Sequence, residues 1–395
     1  MQLIAVLAVV VLLLPDILIL LRIRANQLLR SHYLSDAALK DTGGKIDVIV
    51  SVKVPEDECF ALEWPVVFRE GFGNSGNRLI VSSNGNWSCD FEKVRSEAYL
   101  LHTEGGGTKA LNIEKAISVV SCGVVAIFDV DARPYGAINY GIIAGKLIEA
   151  DCVQGANIVS LQTHDWVSRF CEYESLISAC VSETFALGPG STSQFRGTNA
   201  YFRREVLESL DFKLDTALED INATIQLLSG GKVIRFDPTF VAIEASPAGS
   251  AELLKQRVRW ILGWGHLCRL HLWSVCRSRS IAPHHKLHVA GYLVWVTFLL
   301  PPAVVVILTG DLGPVFVLIL TKFFTSKVLI RTCEGSSRMS SVFEVAHRSR
   351  RAAISEVIWF STLLLLLDFV KSLAVFGFLV GSGSNWTVTG KRGGN

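Results

Sequence analysis

Four short runs in this chain carry residue types able to do chemistry, and they come in a fixed order: Asp129-Val130-Asp131, Gly197-Thr198-Asn199, Glu219-Asp220, and Gln256-x-x-Arg259-Trp260. Paired carboxylates supply hard oxygen donors for Mg2+ or Mn2+ held against phosphate oxygens. A carboxylate at the start of a helix can instead take a hydroxyl proton as general base. On a helix, Gln256, Arg259 and Trp260 fall at i, i+3 and i+4 and share a face, with Leu254, Val258, Ile261 and Leu262 opposite. A guanidinium fork matches a phosphate and an indole offers a flat platform for a sugar ring, so this face suits a bound sugar diphosphate. Each run alone has an ordinary reading: a solvated acidic turn, a helix cap, a structural turn, or a membrane-surface helix anchored by Arg and Trp. The ordered combination favours chemistry.

Elements must place these runs at one point. From Lys45 the chain reads as short strands alternating with helical stretches. Strands are predicted at 46–54, 78–82, 119–128, 156–163 and 232–236, the last ended by Asp237-Pro238. Helices are predicted at 91–101, from Lys109, at 137–147, 172–186 and 203–210, and from Glu219 until Gly230-Gly231 stops the run. The alternation predicts an α/β class with a mainly parallel sheet covered on both faces. In such sheets ligands bind beyond the carboxyl ends of strands, where Asp129 and Asp131 are predicted to stand.

The rest of the composition points to a lipid bilayer. The 395 residues are 50% hydrophobic with a formal net charge of +2, and mean hydropathy is +0.39. Residues 3–21 form an apolar run followed by Arg22, Arg24 and Arg30, which predicts a retained anchor with its N-terminus outside. Residues 287–308, 313–330 and 358–380 are predicted as further spans; Lys322 and Lys327 weaken the second, and Asp368 with Lys371 makes the third a single span or a re-entrant segment. The nine cysteines show no C-x-x-C pair or zinc spacing and read as reduced thiols. Nothing in the charge pattern suits nucleic acid.

In order and spacing, the four runs resemble those of membrane-embedded family 2 glycosyltransferases, the cellulose, chitin and hyaluronan synthases and their relatives; the likeness runs from about Lys109 to Trp264. The resemblance implies a GT-A (Rossmann-like) cytosolic domain with transmembrane helices, divided as an anchor at 1–24, a GT-A domain at 45–250, an amphipathic interface helix at 251–280, a transmembrane region at 287–381 and a tail at 382–395. It implies Asp220 as catalytic base, with Glu219 shaping the helix start or acceptor pocket. Asp131 would hold Mg2+ or Mn2+, Asp129 ribose or metal, and Lys109, Gln256, Arg259 and Trp260 the donor diphosphate. Gly197, Asn199 and Trp260 would meet the acceptor.

Two departures stand out. The Asp-rich turn that holds the nucleotide base in the family reads Ser82-Ser83-Asn84-Gly85 here, and the first strand ends in Pro55-Glu56-Asp57-Glu58. The implied activity is inverting transfer from a nucleotide sugar, uridine-linked, to a β-linked polysaccharide. Single addition to a lipid acceptor and a non-catalytic membrane scaffold remain open. The implied setting is a multi-pass membrane protein of the plasma membrane or the Golgi/ER, with an oligomer where few spans must form a channel.

Overall fold

The computed structural model describes residues 13, 16–24, 44–53, 57–73, 76–84, 98–103, 108–160, 165–186, 193–212, 218–279, 281, 283, 286, 313–346, 358–360 and 362–363. Its centre is an eight-stranded sheet of β1 (Ile46–Lys53), β2 (Arg78–Asn84), β3 (Tyr99–Thr103), β4 (Val124–Asp129), β5 (Arg133–Pro134), β6 (Cys152–Val159), β7 (Ala200–Arg203) and β8 (Ile234–Glu244), in the spatial order β3-β2-β1-β4-β7-β6-β8-β5. Strands β3, β2, β1 and β4 are parallel to one another, as are β6 and β8. The short β7 runs antiparallel between β4 and β6, and β5 runs antiparallel along β8. The predicted mainly parallel sheet is therefore present, with two antiparallel insertions.

The near-continuous apolar strands follow from burial on both faces. On β1, Ile46, Val48, Val50 and Val52 join one core with Phe60, Trp64, Phe68 and Phe72 of α1 (Glu58–Phe72) and Ile143 and Leu147 of α3 (Tyr140–Glu149). Ile49 faces the other core, with Ile113 and Ala116 of α2 (Lys109–Ile117), Val206 and Leu207 of α5 (Arg204–Glu208), and Ala223 and Leu227 of α6 (Glu219–Ser229). A third core packs α4 (Trp166–Ala186), α8 (Gly313–Glu334) and α9 (Ser340–Val345) against β6 and β8.

Several expectations are corrected. Of the helix predicted at 91–101, the described part forms the start of β3, because its backbone groups extend the sheet beside β2. The strand predicted from 119 begins only at Val124; Val119 and Val120 close the turn after α2. Asp237-Pro238 does not end the last strand. The register against β6 jumps there, with Asp237 opposite Gly155 and Val241 opposite Ala156, so Pro238 sits in a bulge where no ladder donor is needed.

Among the described residues no helix is long and apolar enough to span a bilayer. The run at 313–330 lies in α8, whose Phe323, Leu329 and Cys333 are buried in the protein cores rather than all round the helix. The spans predicted at 287–308 and most of those at 3–21 and 358–380 lie outside the described residues, as does the tail.

Candidate active site

The parallel strands deliver the site to their carboxyl ends. Strand β4 ends at Asp129, and α2 starts nearby with Thr108 as its cap, whose Oγ1 accepts from Leu111 N at 3.4 Å. Lys109 is thus the first residue of α2. Its ammonium lies 2.5 Å from Asp129 Oδ1 and 3.0 Å from Glu219 Oε1, and donates to the Gly197 carbonyl at 3.1 Å. Residues from three of the four runs meet at this one cation. Gly197 has φ +80°, and a Cβ there would stand 2.9 Å from Lys109 Nζ and 3.5 Å from Asp220 Cβ. The glycine is therefore required both by its backbone and by the closeness of the charged cluster.

The acidic turn is fixed from both sides. Asp129 N donates to Thr198 Oγ1 at 2.9 Å, so the Gly197 run braces the end of β4 directly. Trp64 Nε1 of α1 donates to the Val130 carbonyl at 2.8 Å, holding the residue between the two aspartates. Trp64 is fully buried and lies edge-on to Phe128. The motifs alone miss it; its only signal is an aromatic stripe with Phe60, Phe68 and Phe72. Asp131 is also buried at this turn.

Electrostatics separate the carboxylates. Burial, reinforced by the charge of Glu219, pushes Asp220 up to about 7, against the opposing pull of Lys109 and the Ile221 amide. Ile221 N donates to Asp220 Oδ1 at 2.8 Å. The residue preceding the helix is Leu218, which provides no side-chain cap, so the acidic pair occupies the first turn of α6 rather than the cap position. Burial works against the Lys109 charge, but Asp129 and Glu219 outweigh it and keep the ammonium well above the ordinary lysine range.

The remaining site residues sort by contact. Asn199 is engaged within the sheet. It is fully buried with φ +51°, its Nδ2 donates to the carbonyls of Ala156 and Phe240 at 3.0 Å each, and its Oδ1 accepts from Tyr201. It ties β6 to β8. At the end of β2, Ser83 Oγ donates to the Leu101 carbonyl, and Asn84 Oδ1 lies 3.5 Å from Asn112 Nδ2. These polar groups are engaged with neighbouring β3 and α2.

The Gln256 run lies on α7 (Ser250–Arg277), where Gly263 presses against Leu218: a Cβ would come within 2.6 Å of its Cγ. This contact brings α7 to the start of α6, and Trp264 joins Leu218 and Ile221 in one cluster. Arg259 and Trp260 sit one turn earlier on α7. Both sides of this helix are only partly packed: Gln256, Arg257 and Ile261 are buried, whereas Leu254 of the expected apolar face and Trp260 of the polar face are exposed. Arg257 binds Glu174 and Gln256, the latter at 2.7 Å, and its guanidinium lies 4.2 Å above the ring of Trp260, itself 38% exposed. The spacing singles out Arg259, whereas contact singles out Arg257.

Carboxylates at Asp129 and Asp131 are suitable donors for Mg2+ or Mn2+, and the cluster already gathers around a cation, the Lys109 ammonium. No group of three or more His, Cys, Asp or Glu residues able to hold a metal occurs among the described residues. Two carboxylates suffice where substrate phosphates complete the shell.

Residues 135–330 match the family model described as Glycosyl transferase family group 2, so this part of the chain is similar to that family. The match takes in Gly197, Glu219, Asp220, Gln256, Arg259 and Trp260 but begins after Lys109, Asp129 and Asp131. The chain is 28% identical over 161 residues to "Probable glycosyltransferase YdaM" of Bacillus subtilis (strain 168), covering 40% of this chain and 38% of that protein. It thus spans about two fifths of that relative's length. In three dimensions it is similar to mannosyltransferase PcManGT from Pyrobaculum calidifontis, solved in complex with GDP-Man and Mn2+, with TM-score 0.55, 16% identity, and coverage of 95% of this chain and 97% of that one. The likeness establishes the fold, a mixed α/β sheet consistent with a GT-A glycosyltransferase domain.

Proposed function

We propose that this chain is an inverting glycosyltransferase that moves a sugar from a nucleoside diphosphate donor to an acceptor hydroxyl, with Asp220 as base. The observation that carries the reading is the meeting of Asp129, Glu219 and the Gly197 carbonyl on Lys109, against Asp220, at the carboxyl ends of the sheet. Asp131 and Asp129 would hold the divalent cation, which supplies charge neutralisation for the departing diphosphate. Asp220 takes the acceptor proton as the hydroxyl oxygen bonds to the anomeric carbon and the bond to diphosphate breaks. Attack from the opposite face turns an α-linked donor into a β-linked product. A carboxyl near 7 suits a base working at neutral pH, since it is ionised often enough and still basic enough to accept a proton.

The finer reading takes a uridine-linked donor, a β-linked polysaccharide product and a catalytic domain facing the cytosol at a membrane. The half-exposed Trp260, held beneath Arg257, supports a platform on which an acceptor sugar stacks. The apolar runs in the sequence support the bilayer. Addition of one sugar to a lipid is the second reading, because a single platform serves either acceptor. A panel of nucleotide sugars offered to membranes carrying the full chain, with products sized by gel, tests both. A ladder of lengthening saccharide is expected; a lipid with one added sugar promotes the second reading. No transfer and no donor hydrolysis with any nucleotide sugar would overturn the enzymatic reading.

A further inference from the structure

We infer that Lys109 is an exchangeable counter-cation: its ammonium fills the cation position at Asp129 and Glu219 in the donor-free protein, and divalent metal enters as the lysine is drawn off by a diphosphate. The inference rests on the reading above that Asp129 and Asp131 hold the metal. Its geometric basis is the placement of Lys109 Nζ 2.5 Å from Asp129 Oδ1, 3.0 Å from Glu219 Oε1 and 3.1 Å from the Gly197 carbonyl, with Lys109 and Asp220 both against the position a Gly197 side chain would take.

Three physical arguments support exchange over a fixed tie. Lys109 is the first residue of α2, where the positive end of the helix dipole disfavours a cation, so its place is maintained against the dipole by the carboxylates and the Gly197 carbonyl. A dication bound to Asp129 while the ammonium stayed would put like charges a few ångströms apart, a repulsion of several kcal/mol at partial screening. A diphosphate removes that conflict, because its oxygens give the ammonium a new charge-assisted partner and complete the metal shell at once. Metal and nucleoside diphosphate should therefore each raise the affinity for the other, as linkage requires of coupled ligands. Bound alone, the metal must compete with a cation already in place.

Mn2+ bound to the full chain is measured by electron paramagnetic resonance and calorimetry, with and without uridine diphosphate, in the wild type and in Lys109→Met and Lys109→Gln. Wild-type protein is expected to bind Mn2+ weakly alone and at least about tenfold more tightly with the nucleotide, since removing one unit charge at this range is worth a decade or more. Both variants should bind Mn2+ alone at least about tenfold more tightly than wild type and lose most of the nucleotide's effect, whereas removal of a fixed structural lysine would leave the nucleotide's effect unchanged. Melting scans with and without Mn2+ confirm folding, and the larger stabilisation by the metal is expected in the variants. Equal Mn2+ affinity of wild type with and without nucleotide overturns the inference even if neither variant folds, as does unchanged or weakened binding in folded variants. Absence of sugar transfer would count against the glycosyltransferase reading alone, because metal binding is read directly.

Discussion

Two aspartates at opposite ends of the same parallel sheet meet opposite fates. Asp47 stands near the amino end of β1, fully buried, and its carboxylate is enclosed by Arg78, at 2.7 and 2.8 Å, and by the amides of Ser121 and Cys122, at 2.6 and 2.9 Å. Burial alone would raise it, but these donors win and hold it down at about 2. Asp220, beyond the carboxyl ends, is half-buried with one neighbouring backbone donor, shares its surroundings with Glu219, and rises to about 7. The lesson is that burial does not decide a carboxylate's role. Its complement of donors does: a saturated carboxylate is a structural post, and an under-supplied one keeps a basicity that chemistry can use.

The largest expected effect is on the under-supplied side. Asp220→Asn keeps shape and removes the base, and should lower transfer by about 10²–10⁴-fold, measured with the donor that proves active. Transfer within a few-fold of wild type would erase the contrast between the two aspartates. The same variant has a stability signature of fixed sign. Because the folded carboxyl binds its proton up to about 7 and the unfolded one releases it near 4, wild-type stability declines as pH rises through that window. Asn has no such loss, so Asp220→Asn should melt higher than wild type at pH 8, with the gain vanishing toward pH 4. Wild-type activity should rise through pH 7 as the base ionises.

Asp47→Asn is the mirror experiment. Removing a carboxylate bound by four donors should cost about 2–4 kcal/mol in denaturant unfolding while leaving activity per folded molecule unchanged. The depressed Asp47 stabilises fully above the ordinary aspartate range, and its contribution is lost as pH falls from about 4 to about 2. A large loss of activity without loss of stability would place Asp47 on the wrong side of the comparison.

Arg257→Met sharpens it at smaller size. Arg257 is 3% exposed and holds Glu174 and Gln256 while lying over Trp260. Freeing the indole should raise the acceptor KM by a few-fold to about tenfold, in line with cation–π energies, with less change in kcat. Equal effects on KM and kcat would mean that the guanidinium acts on the reaction rather than on the platform. An effect of the same order is expected at Gly197→Ala, where φ +80° and the contact with Lys109 Nζ disfavour a side chain. A loss of about 1–2 kcal/mol in chemical unfolding is expected; a neutral substitution would show that the turn is looser than its geometry indicates.

Much of this arrangement was legible in the chain. The apolar run of β1, the alternation of strands and helices, and the place of Asp129 at a strand end follow from periodicity and the parallel-sheet rule. The start of α6 at Glu219 was legible too, because the apolar stripe of Leu218, Ile221, Ile225 and Leu228 repeats at helical spacing. Other features were hidden for definite reasons. Asn199 looks like an acceptor ligand because its amide is polar, but its hydrogen bonds are spent between β6 and β8, strands whose adjacency no local pattern announces. Arg257 was passed over because helical spacing groups Gln256 with Arg259 and Trp260, and the Glu174 partner comes from a helix 83 residues away in sequence. Trp64 reads as plain core until its indole is found on the Val130 carbonyl.

The sequence by itself determined the inventory: carboxylates after an apolar strand, a glycine run, an acidic pair opening a helix, and an amide, guanidinium and indole on another. Local pattern is enough for that, because helix and strand periodicities act over a few residues. Tertiary structure decided which of these groups touch. Lys109 reaches Gly197 across 88 residues because α2 and the entry to β7 both stand at the end of β4. The same register set Asp220 in a half-buried acidic cluster and Asp47 among donors. Proton affinity depends on burial and on charges within a few ångströms, and those distances exist only once the sheet has formed.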